Sequence, residues 1–403
     1  MFASIPSVLA SWAPAERARS TSATCFLLVG SALLLAAACQ NEEADTNTGA
    51  TDTVDVPDAD DVMPVLPSEQ VPAWPACEGA ACCLARGLDC ATAPGFACVT
   101  SDGRAFCQHE SSGEVLVPEG AFWRGCRGVV QVGGADVPES CHPDEQPAHR
   151  VVLGAFAIDE TEVTAAQYRT CVEAGGCTKP INTAGNLGTY DPLEKRQRPI
   201  NFITPAQAED WCRWDPKGPN PKRLCTEAEW EKAARGGCAA VGCDDGDRAC
   251  CERRSPPYPW GWSRDDAAAN AHIYGEGPTE VGSYPGGRSI YGALDLAGNV
   301  EEWVADDYAS DVYCMGPAAS CIDVCDRCSG QPAYADPWAD PAPLHVGAPA
   351  RVLRGGGFDV GKSVDSFPPE PNEDTVRVSV RNWGQNDAWG SRISVRCCRS
   401  VSP

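Results

Sequence analysis

From about residue 115 onward, short apolar runs alternate with helix-start signals, which is the pattern of a globular domain. "HRVVLGAFAIDETEVT" (149–164) begins with apolar residues suited to strands. Thr164 can then cap a helix over "AAQYRTCVEAGG" (165–176), which ends at glycines. The pattern therefore predicts strands followed by a short, capped helix.

The same helix-start chemistry recurs twice further along the chain. Thr204 stands at a cap position, and Pro205 takes the first helical position of "TPAQAEDWCRW". Thr226 and Glu229 form a capping box, and Gly236 closes that helix. The helices are few and brief, and a composition with 39 Gly and 34 Pro favours many loops. We therefore predict an α+β fold with much irregular structure.

The N-terminal residues have the pattern of an export signal. Arg17 and Arg19 precede "CFLLVGSALLLAAA" (25–38), an apolar run too short for a comfortable membrane span. Cys39 follows three alanines, as in a bacterial lipobox, although Leu35 lies one place further back than the usual pattern. We predict a signal peptide over 1–38 and lipidation of Cys39; an ordinary signal peptide cut nearby is the alternative.

The next two segments are polar and then rich in cysteine. Residues 41–72 are acidic and rich in Thr and Pro, which predicts a disordered linker within 39–75. Six cysteines lie between 77 and 107, which predicts a disulfide-rich module over 76–110 with fifteen possible pairings. The chain has 24 Cys, and so many in an exported protein indicate disulfides and an oxidising compartment. The module is either a binding unit or a spacer.

Charge narrows the classes of partner and draws attention to one acidic loop. The formal charge of −24 argues against nucleic-acid binding, which needs clustered Lys and Arg. In "DLAGNVEEWVADDY" (295–308), Asp295 and Glu302 bracket Gly298 and Asn299. Oxygen ligands around a sharp glycine turn suit a hard cation, calcium above all. The alternative is a turn with solvated acids followed by a core tryptophan.

Six ordered motifs resemble those of the formylglycine-generating enzyme family, also called sulfatase-modifying factors. The match covers about 115–400, with insertions, so this range is taken as the family-like domain. The motifs are "FAIDETEVTAAQY" (156–168), "RPINFITPAQAEDWCRW" (198–214), "RLCTEAEWEKAARGG" (223–237), "VGSYPGGRSIYGALDLAGNVEEWVADDY" (281–308), "RGGGF" (354–358) and "SVRC" (394–397). The resemblance implies the family's loop-rich α+β fold, which is related to C-type lectin domains.

The resemblance also implies a calcium site in the acidic loop. Its ligands would be the side chains of Asp295 and Glu302 and the backbone carbonyls of Gly298 and Val300. Glu301 stands where many members have Trp, and in this scheme its side chain points away from the cation.

Cysteine pairing can be compared in the same way. The resemblance implies a disulfide between Cys212 and Cys397. A second family pair is missing, because Ala234 and Val378 occupy its positions. Two other groups of four cysteines are expected to form disulfides within insertions, with zinc binding as the alternative. They are Cys238, Cys243, Cys250 and Cys251, and Cys314, Cys321, Cys325 and Cys328.

The oxidase chemistry of the family is not expected here. Oxidase members hold copper(I) through two cysteines near a serine, because this soft ion prefers thiolate sulfur. In this chain Gly357 takes the serine position, Val360 the first cysteine position and Asp365 approximately the second. The five histidines show no paired helical spacing, so we assign them no metal. Calcium is therefore the expected cofactor, and copper is not.

These observations together favour a calcium-stabilised binding or structural member of the family. It would be anchored by lipid in the bacterial cell envelope, periplasmic or at the surface, with a protein, peptide or glycan as partner. Whether it is an enzyme stays open. One alternative is an oxidase-like enzyme that uses other residues, such as Asp359, Asp365 and Arg381. Another is a surface assembly protein that recognises partners through the six-cysteine module.

Overall fold

The structure is a computed structural model. It describes residues 83, 88–101, 104–127, 129–132, 135–138, 141–183, 185–214, 221–263, 271–310, 313, 338–339, 349–359 and 373–401. The proposed signal peptide, Cys39 and the acidic linker lie outside the described residues. Val360, Asp365 and the cysteines from 314 to 328 also lie outside them.

Three of the four described helices begin where the capping signals predict, and the fourth, which follows Asp247, was not predicted. Helix α1 spans Ala165–Glu173, α2 Pro205–Trp214, α3 Glu227–Arg235 and α4 Arg248–Arg254. Thr164 and Thr226 each accept a hydrogen bond from the third residue of their helix, whose side chain bonds back to the cap. Within the described residues, no helix is both long and apolar enough to cross a membrane.

Fifteen strands are assigned within the described residues. They are β1 Phe96–Ser101, β2 Arg104–His109, β3 Glu114–Val117, β4 Gly120–Arg124, β5 Val129–Val132, β6 Ala135–Pro138, β7 His149–Leu153, β8 Phe156–Asp159, β9 Arg223–Leu224, β10 Glu301–Asp307, β11 Trp338–Ala339, β12 Ala350–Arg354, β13 Asn382–Gln385, β14 Ile393–Ser394 and β15 Cys397–Ser400. Helices and strands are both short, in keeping with the α+β expectation.

The largest sheet has six strands in the order β1-β2-β3-β8-β15-β9, and every neighbouring pair is antiparallel. The hairpin β1–β2 belongs to the cysteine-rich segment, yet Gln108 of β2 pairs with Val115 of β3. The boundary drawn between 110 and 115 therefore falls inside a sheet. The segment adds two edge strands to the larger domain, which cysteine spacing alone does not reveal.

Smaller sheets complete the framework. Strands β13-β12-β10-β14 form a four-stranded sheet, in which β10 and β14 run parallel. Strands β11-β7-β4 form a three-stranded sheet, and β5 and β6 form a two-stranded one. Strand β10 continues directly from the acidic loop, so this four-stranded sheet fixes the position of Glu301 and Glu302.

Two hydrophobic clusters fill the space between sheets and helices. The larger contains Phe106, Ile158 and Trp230, each at most 1% exposed, and so packs α3 against the six-stranded sheet. The second contains Trp211 from α2 and Trp303 from β10. The acidic loop lies next to both clusters, because Leu296 belongs to the first and Trp303 to the second.

All described cysteines are joined in disulfides. Cys212–Cys397 and Cys225–Cys398 tie α2 and the segment before α3 to strand β15. The remaining pairs close short loops: Cys83–Cys98, Cys90–Cys107, Cys126–Cys141, Cys171–Cys177, Cys238–Cys251 and Cys243–Cys250. The insertion cysteines from 238 to 251 therefore form two disulfides rather than a four-thiolate zinc site.

A buried ion-pair network lies behind α3. Glu227 receives hydrogen bonds from Arg124 at 2.7 Å and from Arg381 at 2.7 Å, and Arg354 lies 3.4 Å away. Burial alone would raise the pKa of Glu227, but the three guanidinium groups outweigh it and lower the pKa to about 2. Replacing Glu227 would leave the buried guanidinium groups of Arg124, Arg354 and Arg381 without this carboxylate, which is strongly destabilising.

Candidate functional site

The acidic loop has an unusual backbone that brings its polar atoms together. Asp295, Gly298 and Asn299 all have positive φ, at 57°, 77° and 58°. Aspartate and asparagine tolerate this region better than most residues, and glycine adopts it freely. A Cβ at Gly298 would lie 2.8 Å from the carbonyl oxygen of His272, so glycine is required there. The loop is therefore sharply bent, with Gly298 packed against the backbone of His272.

Asp295 and Glu302, the two predicted side-chain ligands, are both buried. Asp295 is 7% exposed, and its Oδ2 accepts a hydrogen bond from the backbone N–H of Gly282 at 2.6 Å. Glu302 is 0% exposed and receives two bonds of 2.7 Å from Arg396 and one of 2.8 Å from Trp230 Nε1. The alternative of solvated acids is therefore wrong for both side chains. Gly298 and Val300 lie between them in the same loop.

Glu162 is a third buried carboxylate that sequence reasoning did not assign to this site. It is 1% exposed, and its Oε1 accepts a hydrogen bond from Asn299 Nδ2 at 3.0 Å. Among the described residues its Oε2 has no hydrogen-bond partner. Burial and then the charge of Asp295 raise the pKa of Glu162 well above its usual value. The only signal for it was its place two residues before the cap of α1.

The charges of this cluster are incompletely balanced by the groups around it. The carboxylates of Glu162, Asp295 and Glu302 face the guanidinium of Arg396. The guanidinium of Arg288 also acts on Asp295, but it is bonded to Glu160 as well. Burial raises the pKa of all three acids. An unpaired buried carboxylate is costly, and a divalent cation is one way to neutralise it. All the available donors are oxygens, which suits calcium rather than a soft metal. The donor set and the charge therefore fit the cation that the resemblance implies.

Geometry limits how many of these acids can ligate a single ion. Glu162 Oε1 is already bonded to Asn299 Nδ2, and Asp295 Oδ2 is bonded to the backbone N–H of Gly282. The carboxylate of Glu302 would also share its oxygens between Arg396 and a cation. The arrangement is therefore compatible with Asp295, Glu302 and main-chain carbonyls as ligands, with Glu162 beside them. Glu162 would then lie beside the cation without being one of its ligands.

A second polar surface lies at the position that the resemblance assigns to the copper site. Arg392 Nη1 is 3.1 Å from Asp359 Oδ1, and its Nη2 is 3.9 Å from Glu301 Oε2. Asn382 Nδ2 donates to Glu301 Oε1 at 2.5 Å. A Cβ at Gly357 would lie 3.1 Å from Arg392 Cδ, so a serine would press on that side chain. An ion-pair cluster therefore occupies the surroundings of Gly357.

Glu301 and Glu302 lie on opposite faces of β10. Glu302 contacts Arg396 and Trp230, whereas Glu301 contacts Asn382 and Arg392. This follows from strand geometry, in which successive side chains point to opposite faces. Glu301 thus points away from the acidic cluster and joins the surface around Gly357 instead.

The remaining polar residues singled out from the sequence have structural partners. Arg381, proposed for an alternative enzyme, is 6% exposed and belongs to the ion-pair network of Glu227. His149 is buried, and its Nδ1 lies 2.9 Å from the carbonyl oxygen of Pro147. His272 contacts Tyr284 and the carbonyl of Gly277. Each of these three side chains is bonded to other groups of the protein.

Comparison with known proteins identifies relatives that include hercynine oxygenases and formylglycine-generating enzymes. The chain is 32% identical over 216 residues to the hercynine oxygenase of Mycolicibacterium smegmatis, covering 47% of this chain and 45% of that protein. It is 26% identical over 339 residues to the formylglycine-generating enzyme of Streptomyces coelicolor, covering 74% and 93%. The chain thus spans about half of the oxygenase and nearly all of the formylglycine-generating enzyme.

Solved structures with a similar fold include PvdO from Pseudomonas aeruginosa. It has 21% sequence identity and a TM-score of 0.47, and the match covers 72% of this chain and 94% of PvdO. A family model, described as the sulfatase-modifying factor enzyme 1-like domain, matches residues 100–401. That match begins within β1, so it includes most of the hairpin that the sequence assigned to a separate module. The chain belongs to the sulfatase-modifying factor, or formylglycine-generating enzyme, family.

Proposed function

We propose that this protein is a calcium-stabilised binding member of its family, anchored in the bacterial envelope and lacking copper-dependent oxidase activity. The observation that carries the proposal is the buried acidic cluster of Glu162, Asp295 and Glu302, whose charge Arg396 alone does not balance. A second observation is the ion-pair cluster around Gly357, where an oxidase would hold its metal. The first observation supports a calcium site, and the second supports the loss of the copper site.

Calcium would act on stability rather than on a reaction. A cation bound to Asp295 and Glu302 would join the acidic loop to strand β10, and through Arg396 to the segment before β15. A ligand that binds the native state and not the unfolded chain stabilises the fold by mass action. Asp295 and Glu302 would hold the ion among buried groups, where electrostatic interactions are less screened by solvent.

The absence of oxidase activity follows from ligand chemistry. The positions next to Gly357 offer the carboxylate of Asp359 and the guanidinium of Arg392, neither of which binds a soft monovalent ion well. Every described cysteine is in a disulfide, so none of them offers a thiolate. Reduction of the bonds to Cys397 and Cys398 would disrupt β15 before it created a copper site.

Mass spectrometry of a cysteine-containing sulfatase peptide tests this part of the proposal. The peptide is incubated in air with the full-length protein and copper, and the Streptomyces coelicolor formylglycine-generating enzyme serves as positive control. We expect the peptide mass to stay unchanged. A loss of about 18 Da, which marks conversion of the thiol to an aldehyde, would overturn the proposal and favour the enzyme alternative.

The sheet pairing of the cysteine-rich segment limits how its role in partner recognition can be tested. Its hairpin pairs with β3, so deletion of 77–107 would remove the edge of the six-stranded sheet. Loss of binding after that deletion would therefore report unfolding as well as recognition. Substitution of exposed side chains on β1, such as Thr100→Ala, separates the two effects, because the backbone pairing is retained.

A further inference from the structure

A cleft of about 480 Å³ lies beside the end of β8, away from the surface around Gly357. One wall is formed by the chain from Asp159 to Val163 and by α1, and the other by Trp211 and Trp214 at the end of α2. Lys222 closes the inner side. The volume is within the range of small-ligand sites, which are mostly apolar with a few placed polar groups.

The aromatic wall of this cleft is fixed in position. The ring centroids of Trp211 and Trp214 are 5.5 Å apart, and Tyr168 lies 5.9 Å behind Trp211. Trp214 rests directly on Gly176, where a Cβ would collide with the indole ring. The disulfide Cys171–Cys177 closes the turn that carries this glycine. The second indole is therefore preorganised, and ligand binding would not have to order it.

Trp211 supplies an unused hydrogen-bond donor. The residue is 4% exposed and lines the cleft, yet its Nε1 has no acceptor among the described residues. Buried indole N–H groups usually find a partner, because leaving one unpaired costs free energy. A ligand in the cleft that carries an acceptor oxygen would satisfy it.

Most charged groups of the cleft are already paired within the protein. The exception is Glu162, which is 1% exposed and bonded to Asn299 through Oε1, but whose Oε2 has no partner among the described residues. Asp159 Oδ1 is 2.6 Å from Lys222 Nζ, and its Oδ2 accepts a bond of 2.9 Å from the N–H of Cys397. Glu160 is bonded to Arg288 at 2.7 Å and to Gln108 at 2.7 Å. A charged ligand would have to compete with these pairs. The cleft therefore suits a neutral ligand that combines an apolar face with hydroxyl oxygens.

We propose that this cleft binds neutral carbohydrate, as one or two pyranose rings. The C–H face of a ring packs on the indole of Trp214, and a ring or hydroxyl oxygen accepts a hydrogen bond from Trp211 Nε1. This assignment rests on the proposed binding role of the protein and names the class of ligand. It places recognition at the cleft rather than at the surface where oxidase members hold copper.

Calorimetric titration of the full-length protein with cellobiose, maltose and diacetylchitobiose tests the assignment. We expect at least one of them to bind with a Kd of about 1 mM or tighter. Trp214→Ala should weaken that binding roughly tenfold through loss of the packing face, and Trp211→Phe roughly fivefold through loss of the donor. Trp389→Ala is the matched control, because Trp389 is 45% exposed and packs near Phe202. It should leave the affinity unchanged.

Two results would overturn the carbohydrate assignment. One is the absence of binding by all three disaccharides below about 10 mM, and the other is binding that survives both cleft substitutions. Preferential binding of a zwitterionic dipeptide would also contradict it. The calcium response of the melting temperature is measured in parallel on Trp214→Ala. If that response persists while no sugar binds, the cleft assignment fails and the proposed calcium-dependent fold stands.

Discussion

Arg396 holds Glu302 through two parallel hydrogen bonds of 2.7 Å, from Nε to Oε2 and from Nη2 to Oε1. The same guanidinium donates to the carbonyl oxygens of Asp159, Glu160 and Leu294. One side chain therefore joins the acidic loop, strand β8 and the segment before β15. A bidentate pair of this kind fixes the carboxylate in one orientation.

The first prediction concerns calcium. A chelator should lower the melting temperature of the wild-type protein, since the native state loses a ligand worth about 2.7 kcal/mol at a hundredfold excess over Kd. Glu302→Gln should abolish most of this difference, because the amide is a weaker ligand. Glu301→Gln is the matched control, since Glu301 lies on the other face of β10. Equal chelator effects in the wild type and Glu302→Gln would contradict the calcium site.

The second prediction concerns acid sensitivity. Burial, together with the charge of Arg124, lowers the pKa of His149 to about 3. In the unfolded chain the imidazole of His149 takes up a proton near pH 6.5, whereas in the folded protein it stays neutral at that pH. His149 therefore reduces stability by about 1.4 kcal/mol for each pH unit between roughly 6.5 and 3, and the loss grows as pH falls.

Urea denaturation at several pH values measures this slope. His149→Gln should be less steeply destabilised by acid than the wild type over this interval. The comparison uses the slope with pH, because the lost contact with Pro147 shifts stability at every pH. His142→Gln controls for the loss of a histidine outside the core. Parallel stability curves for the wild type and His149→Gln would contradict the buried, neutral state of His149.

The third prediction concerns the two disulfides on β15. Cys212–Cys397 and Cys225–Cys398 span 185 and 173 residues, but once one is closed the other closes a loop of only about 14. Loop-closure entropy then gives a loss of about 3 kcal/mol for either pair alone and about 8 kcal/mol for both. Paired Cys→Ala variants in non-reducing denaturation should show this synergy. Simple additivity would show that strain or residual structure outweighs chain entropy.

The fourth prediction concerns the membrane anchor. Cys39→Ser should release a soluble product or block maturation of the precursor, because the thiol proposed to carry the lipid is gone. Partition between washed membranes and supernatant measures the effect. Cys25→Ser lies in the apolar run and should leave the partition unchanged. Continued membrane retention of Cys39→Ser after washing would refute lipidation.

Local chemistry allowed three of the four described helices to be predicted from sequence. Thr164, Thr204 and Thr226 each stand before a short amphipathic stretch, and hydrogen bonds within one turn decide where such a helix starts. The acidic loop was recognisable for a similar reason, since its Asp, Gly and Asn tolerate positive φ. Its burial was not recognisable, because that depends on Arg396 and Trp230, which are distant in sequence.

Long-range pairing explains what sequence reasoning missed. Glu162 reaches the acidic loop through Asn299, 137 residues away, and nothing near Glu162 indicates that contact. The hairpin β1–β2 resembled part of an independent module because its cysteines bond within the segment, whereas its attachment depends on backbone pairing with β3. Backbone pairing is insensitive to residue type, so the sequence carries little trace of it.

The position of β15 has a consequence for the order of events during synthesis. This strand lies between β8 and β9, and its Arg399 and the preceding Arg396 neutralise the buried Glu114 and Glu302. Until residues 396–400 reach the compartment in which the chain folds, the sheet lacks an inner strand and both carboxylates lack their guanidinium. A nascent chain stopped before that point cannot complete the core by local folding. The unfolded domain must therefore stay accessible to chaperones and thiol oxidants until those residues are available. Its folding rate is expected to be low, because the core depends on contacts between distant parts of the chain.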